Sequence, residues 1–138
     1  MPSSSIEFPY RTRIEGGVTL LTPVVLAELP TPYGVYPLRM LVDSGADCTM
    51  LSRALGELAG LDVLSLPKIN ARGIAGQSVE VYRGSVTLRI GDLHLPPIPC
   101  LYSDAVNSQL LLGREGFFDL FNITFDNRRK KVVLTPLF

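Results

Sequence analysis

Short apolar runs separated by glycine and proline recur along this chain and restrict most strongly the folds that it can adopt. Two of them are GVTLLTPVVLAEL, residues 17–29, and YGVYPLRMLV, residues 33–42. Both are rich in strand-favouring residues, and the prolines and the glycine between them indicate a turn. With 12 Gly and 11 Pro in 138 residues and only 19% of residues charged, the chain is predicted to form one mostly β domain.

Later segments continue this pattern with one interruption. LSRALGELAGL, residues 51–61, has helical spacing, with Ser52 as N-cap and Gly60 near its end. Residues 78–102 alternate over two strands that turn at Gly91-Asp92, and residues 123–138 read as a closing hairpin. We expect about seven to nine strands and one or two short helices.

The first residues, MPSSSIEFPYRTRIEG, are polar and aperiodic. We predict that residues 1–16 form a flexible arm before a domain at residues 17–138. Thirteen basic residues balance thirteen acidic ones, which favours neither nucleic acid nor an anionic membrane as a partner. With no apolar signal segment, we expect a soluble, cytoplasmic protein whose Cys48 and Cys100 are reduced thiols.

Most catalytic arrangements need residues that this sequence lacks. His94 is its only histidine, and it lies in an alternating strand pattern where a solvent-facing side chain is the ordinary role. Neither a Ser-His-Asp triad nor a zinc site is therefore indicated, and no glycine-rich phosphate loop occurs. We expect no metal and no organic cofactor, which leaves carboxylate chemistry.

Asp43 stands where an apolar run meets a glycine, in RMLVDSGAD at residues 39–47. A carboxylate at the end of a buried strand is costly to desolvate unless a partner satisfies it or a reaction uses it. The sequence resembles the active-site signature of aspartic proteases, Asp-Thr/Ser-Gly-Ala, at Asp43, Ser44, Gly45 and Ala46.

Two further segments extend this resemblance in the same order along the chain. PKINARGIAGQSVEVY, residues 67–82, resembles the flap of retropepsins, the single-domain retroviral-type proteases. VNSQLLLGREGF, residues 106–117, resembles their third signature, a hydrophobic strand that ends in Gly-Arg and runs into a short helix. Three motifs in the right order are far more specific than one.

The resemblance implies roles for individual residues. The implied catalytic residues are Asp43, Ser44 and Gly45, with Asp43 as the acid and the Ser44 hydroxyl bonding across the subunit interface. Arg114, next to Gly113, is implied to support this loop by pairing with Asp47. The implied substrate-binding residues are Ala46, Asp47, Gly73, Ile74, Ala75 and Gly76. Apolar pocket walls are expected from Leu41, Val42, Ile74, Val79 and Leu112.

The resemblance also implies a fold and an assembly. The expected fold is a retropepsin-like closed β-barrel, half of a pepsin-like enzyme, which pairs as a two-fold homodimer. Carboxylate-only hydrolysis needs both a general base and a general acid, and the chain has a single Asp-Ser/Thr-Gly sequence. Asp43 of two identical chains would then form the catalytic dyad of an endopeptidase that acts on peptides or proteins.

Two other functions are compatible with the sequence. A retropepsin-fold module can serve for dimerisation or peptide binding with little turnover. A small β-barrel could instead bind an apolar ligand, as a monomer that does not depend on Asp43. The intact Asp43 loop and the flap segment favour the protease over both.

Overall fold

The computed structural model describes residues 4–72, 76–105 and 109–138. These residues form fourteen strands, one α-helix and two 3-10 helices, at Val63–Ser65 and Phe118–Leu120. The α-helix, α1, spans Arg53–Leu58. The strands are β1 (Ile6–Pro9), β2 (Arg11–Glu15), β3 (Val18–Thr22), β4 (Val24–Thr31), β5 (Gly34–Val42), β6 (Thr49–Ser52), β7 (Lys68–Arg72), β8 (Ser78–Val86), β9 (Arg89–Ile90), β10 (Leu93–His94), β11 (Ile98–Ser103), β12 (Leu111–Leu112), β13 (Phe121–Asp126) and β14 (Lys131–Pro136).

Nine strands form one large sheet, in the order β10-β9-β4-β5-β12-β6-β11-β8-β7. A second sheet has the order β1-β14-β13, and β2 and β3 form a third sheet of two strands. The outer strands of the large sheet, β10 and β7, do not pair with each other within the described residues. The mostly β prediction is therefore confirmed, whereas the described residues show an open sheet and not the predicted closed barrel.

The hairpin of β4 and β5 follows directly from alternation in the sequence. The two strands pair antiparallel from Val24 opposite Leu41 to Thr31 opposite Gly34. Because side chains alternate between the two faces of a strand, every second residue enters the core, namely Val25, Ala27, Leu29, Leu38, Met40 and Val42. The predicted turn is confirmed, with Gly34 at a φ of 122° that favours glycine.

Helix α1 begins and ends as its sequence predicts. The N–H of Leu55 donates to the Ser52 hydroxyl at 3.2 Å, and Gly60 follows the helix with a φ of 93°. Gly56 lies on the buried side, where an added Cβ would come within 2.8 Å of both Tyr102 and Val63. The absence of a side chain at this position therefore lets α1 pack closely against the sheet.

Part of the segment predicted to be a flexible arm is an ordered strand. Strand β1 pairs antiparallel with β14, with Ile6 opposite Leu134 and Pro9 opposite Lys131. Ile6 and Phe8 pack against the core, and β1 is an edge strand, where a proline without an N–H is tolerated. Strand β2, Arg11–Glu15, lies in the same segment, and the division into an arm at residues 1–16 and a domain from residue 17 stays a prediction.

The C-terminal hairpin is confirmed as predicted. Strands β13 and β14 pair from Phe121 opposite Pro136 to Asp126 opposite Lys131. The ring centroids of Phe117 and Phe121 lie 5.2 Å apart, within the range of favourable aromatic pairs. The hairpin is thus packed against the chain that follows the Gly-Arg motif.

Both cysteines are free thiols, as predicted. Cys100 is buried, and its burial raises the pKa of the thiol to about 12. His94 lies exposed at the end of β10, which agrees with the solvent-facing role predicted for it. Across residues 4–72, 76–105 and 109–138, no helix is long and apolar enough to cross a membrane.

Candidate active site

Asp43 follows β5 and its backbone is fixed from two sides. Strand β12 pairs parallel with β5, with Leu112 opposite Val42, and the N–H of Asp43 donates to the Leu112 carbonyl at 3.0 Å. On the other side of the strand, the N–H of Val42 donates to the Pro23 carbonyl at 2.9 Å. Val42 and Leu112 are themselves buried, so the carboxylate is carried by a rigid part of the core.

The carboxylate of Asp43 is half-buried and caps its own loop. Oδ1 of this carboxylate accepts a hydrogen bond from the N–H of Gly45 at 2.9 Å. The backbone carbonyl of Asp43 accepts another from the N–H of Ala46 at 3.2 Å. A Cβ at position 45 would lie 3.2 Å from Oδ1, so glycine leaves this acceptor uncrowded. Within the described residues, Oδ2 accepts no hydrogen bond and is available to another group.

Ser44 lies exposed between Asp43 and Gly45. Its hydroxyl makes no hydrogen bond to any described residue of the chain. The structure therefore places Ser44 in the predicted loop without giving its hydroxyl a partner in the same chain.

Asp47 and Arg114 meet although they are 67 positions apart. The guanidinium donates to the Asp47 carboxylate, and both side chains are largely exposed, at 58% for Arg114 and 82% for Asp47. The backbones also meet, because the N–H of Arg114 donates to the Ala46 carbonyl at 2.9 Å. The contact implied by the resemblance is thus present in the structure.

Gly113 lies against the backbone of the loop that follows Asp43. An added Cβ would come within 2.3 Å of the carbonyl carbon of Cys48, so no other residue fits without moving the main chain. The N–H of Gly113 donates to the hydroxyl of the fully buried Thr49 at 3.2 Å. The segment of Cys48 and Thr49 and the segment of Gly113 are distant in sequence, and they are held together by this close contact.

Cys48 and Glu115 form a second link beside this contact. The thiol donates to the Glu115 carboxylate at 3.1 Å, and Arg83 of β8 lies 3.4 Å from the same carboxylate. Burial, together with the hydrogen bond to Glu115, raises the pKa of the Cys48 thiol to about 11. The thiol is therefore protonated at neutral pH and is not a nucleophile.

The sequence analysis missed Thr49 and this Cys48, Glu115 and Arg83 cluster. A signal was available, because Cys48 and Glu115 each directly follow a member of the predicted Asp47 and Arg114 pair. Arg83 carries no such signal, since it reaches Glu115 from β8, 32 positions away in sequence.

The segment that resembles a flap is a hairpin at the edge of the large sheet. Strands β7 and β8 pair from Lys68 opposite Tyr82 to Arg72 opposite Ser78. Gly76 is exposed with a φ of 76°, a backbone conformation that favours glycine. The other predicted tip residues, Gly73, Ile74 and Ala75, lie outside the described residues.

The predicted pocket walls are divided between the core and the surface. Val42 and Leu112 are buried within the chain and cannot line an open pocket in this arrangement, so that part of the prediction is wrong. Val79 is exposed and Leu41 is half-buried. Ile74 lies outside the described residues.

Comparison with known proteins identifies the fold and the family. The structure is similar to a retropepsin-like aspartic protease from Rickettsia conorii, with a TM-score of 0.67 and 16% sequence identity over 96% of this chain and 99% of that chain. It is also similar to the EIAV protease in complex with the inhibitor HBY-793, with a TM-score of 0.53 and 24% identity over 72% of this chain and 88% of that chain. These likenesses define a retropepsin-like fold.

A family model described as aspartyl protease matches residues 31–115. That range contains Asp43, the flap-like hairpin and Arg114, and it covers more than half of the chain. The chain belongs to the aspartyl protease family. No match was found among curated proteins.

Proposed function

We propose that the chain is an aspartic endopeptidase whose catalytic dyad consists of Asp43 from two identical chains. The observation that carries the proposal is the position of Asp43 in an aspartyl protease sequence. Its backbone is fixed between Leu112 and Pro23, and one carboxylate oxygen is hydrogen bonded by Gly45. A rigid, half-buried acid with one oxygen left without a partner in the described chain suits acid-base catalysis.

In the proposed mechanism the carboxyl groups of the two Asp43 residues lie side by side and share one proton. Two adjacent carboxyl groups cannot both ionise, because their negative charges repel. The ionised Asp43 takes a proton from a water molecule, whose oxygen attacks the scissile carbonyl carbon. The partner subunit's Asp43 gives its proton to the carbonyl oxygen, and a tetrahedral diol forms. The C–N bond then breaks as the leaving nitrogen takes up the proton now held by Asp43, while one diol hydroxyl gives its proton to the partner subunit's Asp43, which leaves a carboxylic acid and an amine and restores the shared proton.

A two-fold homodimer is proposed because a single chain supplies one such acid. Ser44 supports this assembly, since its exposed hydroxyl has no hydrogen-bond partner in the described chain and could bond across a symmetry axis beside Asp43. Gly45, which frees the Asp43 carboxylate from crowding, is proposed to act with Ser44 in holding the dyad.

Substrate is proposed to bind as an extended strand between the subunits, by main-chain hydrogen bonds. Ala46 and Asp47 would contact its backbone, and a flap with its tip at Gly73, Ile74, Ala75 and Gly76 would cover it. Gly113 and Arg114 are proposed as supports of the loop and not as substrate contacts. A cytoplasmic location, and the absence of nucleic acid, membrane, metal and cofactor from its function, stay predictions from the sequence.

The alternative function is a dimerisation or peptide-binding module with little turnover. The exposure of Asp47, whose carboxylate is already engaged by Arg114, is compatible with peptide binding alone. An ionisable group held rigidly at position 43 favours the protease, because a binding module has no need of it.

The test is cleavage of a complex peptide mixture by the wild type and by Asp43→Asn. Products are identified by mass spectrometry from roughly pH 4 to 7, where a dyad that shares one proton is active. We expect cuts by the wild type only, with a loss of rate of at least about 10³-fold in the variant, as is usual when an essential catalytic group is removed. Asn has nearly the same shape as Asp, so we expect the variant to keep the fold and to lose only the ionisable group.

Equal cutting by both proteins would point to a contaminating protease and contradict the proposal. Binding of peptides by both proteins without any cleavage, at concentrations that favour a weak dimer, would support the binding module.

A further inference from the structure

The β2–β3 hairpin is a sheet of its own. Its strands pair from Arg11 opposite Thr22 to Glu15 opposite Val18, and among the described residues they pair with no other strand. Nearly all of its residues are exposed. An isolated two-stranded hairpin is at best marginally stable in water, so a hairpin of this kind gains from a surface that covers it.

The two faces of the hairpin differ in chemistry. Residues directly opposite one another share a face, and so do residues two apart in a strand. One face carries the ion pair of Arg13 and Glu15, at 3.2 Å. The other face, which we call the uncharged face, consists of Thr12, Ile14, Thr19 and Leu21.

The uncharged face exposes large apolar side chains. Ile14 is 74% exposed and Leu21 is 48% exposed, and no charged side chain lies on this face to keep them solvated. Exposed apolar side chains on a face without charge are characteristic of the centre of a protein interface.

The hairpin leaves the large sheet beside the proposed catalytic acid. Strand β3 ends at Thr22, and the carbonyl of the next residue, Pro23, accepts the hydrogen bond from the N–H of Val42. Asp43 is the residue that follows. The base of the hairpin is therefore on the part of the molecule that a second chain must approach if two copies of Asp43 are to meet.

We infer that the uncharged face of the β2–β3 hairpin packs against a second copy of this chain and forms part of the dimer interface. The inference rests on the proposed function, which requires two chains. A stable interface buries about 800 Å² on each partner, and the loop of Asp43, Ser44 and Gly45 is too small and too polar to supply that area. The hairpin joins this part of the chain at Pro23 and carries the exposed Ile14 and Leu21, which add apolar area beside the loop.

A second copy fits this face better than a charged partner does. In a two-fold interface the same patch occurs on both sides, so a charged patch would face its own charge. The uncharged face avoids that repulsion, and its threonine hydroxyls can donate and accept hydrogen bonds with their own copies.

Dimerisation of the full chain tests this inference by sedimentation equilibrium. The test variant is Ile14→Ser/Leu21→Ser, on the uncharged face. The control is Val18→Ser/Leu20→Ser, which removes two apolar side chains from the same hairpin, both on β3 and both on the opposite face. Circular dichroism spectra check that both proteins fold, which is expected because all four residues are on the surface.

We expect the test variant to raise the dimer dissociation constant about tenfold or more, as for central residues of an interface. The control should change it by less than about threefold, as for surrounding residues. Equal constants for the wild type and the test variant would overturn the inference, as would equal weakening by both variants. A wild type that stays monomeric at millimolar concentration would also overturn it.

Peptide cleavage in the same samples separates this inference from the proposed function. Cleavage that depends on Asp43, with a dissociation constant unchanged by Ile14→Ser/Leu21→Ser, overturns only the hairpin interface. Dimerisation that depends on Ile14 and Leu21 without any cleavage upholds the interface and contradicts the protease.

Discussion

The loop that carries Asp43 and the β2–β3 hairpin are neighbours at Pro23, yet the chain holds them very differently. The loop is fixed by main-chain contacts to Leu112 and Gly113, with the fully buried Thr49 behind it. Among the described residues the two strands of the hairpin pair only with each other, and Ile14 and Leu21 are exposed. The comparison indicates that, among the described residues, the chain fixes the Asp43 loop by its own contacts and leaves the neighbouring hairpin uncovered.

Replacing a glycine by alanine should give the largest difference in stability between the Asp43 loop and the hairpin. In Gly113→Ala the new Cβ would lie 2.3 Å from the Cys48 carbonyl carbon, and we expect a loss of about 4 kcal/mol or more in unfolding free energy. In Gly17→Ala, at the hairpin turn, no atom lies within 4 Å of the new Cβ and φ is 78°. That variant should lose only about 1 kcal/mol, from backbone strain. Urea denaturation measures both, and similar losses would break the comparison.

Removal of a threonine hydroxyl should again destabilise the Asp43 loop more than the hairpin, but the difference in stability should be smaller. In Thr49→Val the N–H of Gly113 loses its acceptor inside the core, at a cost of about 1–3 kcal/mol. Thr19 lies exposed on the hairpin, and Thr19→Val should change the stability of the monomer by less than about 0.5 kcal/mol. Unfolding at a concentration where the chain is monomeric measures both; a loss at Thr19 that matches the loss at Thr49 would refute the expected contrast.

Removal of an exposed ion pair should reduce stability equally little in the Asp43 loop and in the hairpin. Asp47→Asn removes a largely exposed contact to Arg114, and Glu15→Gln removes the exposed contact to Arg13 in the hairpin. Each should cost less than about 1 kcal/mol, and less again in high salt. A much larger loss in Asp47→Asn alone would mean that the ion pair, and not the main chain, holds the loop.

Glu7 provides the smallest effect and a dependence on pH. Hydrogen bonding by Lys131 and the charge of Arg129 hold the pKa of Glu7 below its ordinary value of 4.5. Since the pKa is lowered in the folded state, this contribution to stability is complete above pH 4.5 and is lost as the pH falls through the folded pKa. Glu7→Gln should therefore be slightly less stable than the wild type at pH 7, and the two should converge in acid. A difference that grows in acid would contradict this sign.

The sequence predicted those features that depend on local patterns. Alternation gave the β4–β5 hairpin and its turn at Gly34, and the spacing of Ser52 and Gly60 gave helix α1. The resemblance at Asp43 and Arg114 led to the contact between Asp47 and Arg114. In each case the determining residues are close in sequence or belong to a known motif.

The features that were missed depend on contacts between distant residues. Strand β1 was not predicted because its alternating pattern is only four residues long and ends in Pro9, and its pairing with β14 does not follow from so short a pattern. Pro23, within one apolar run, divides that run into β3 and β4, and its carbonyl meets Val42 only in the folded chain. The interaction of Cys48 with Glu115 likewise spans 67 positions. Packing, and not local preference, decides such contacts.

The pairing of β1 with β14 has a consequence for the order in which the chain can fold. Glu7 on β1 contacts Lys131 on β14 across 124 positions of sequence, so the sheet order β1-β14-β13 is completed only when nearly the whole described sequence is present. Contacts of such separation slow folding, because a long loop must close before they form. During synthesis β1 therefore has no strand to pair with until β14 has left the ribosome, so this sheet cannot be completed before nearly all of the described sequence has been made.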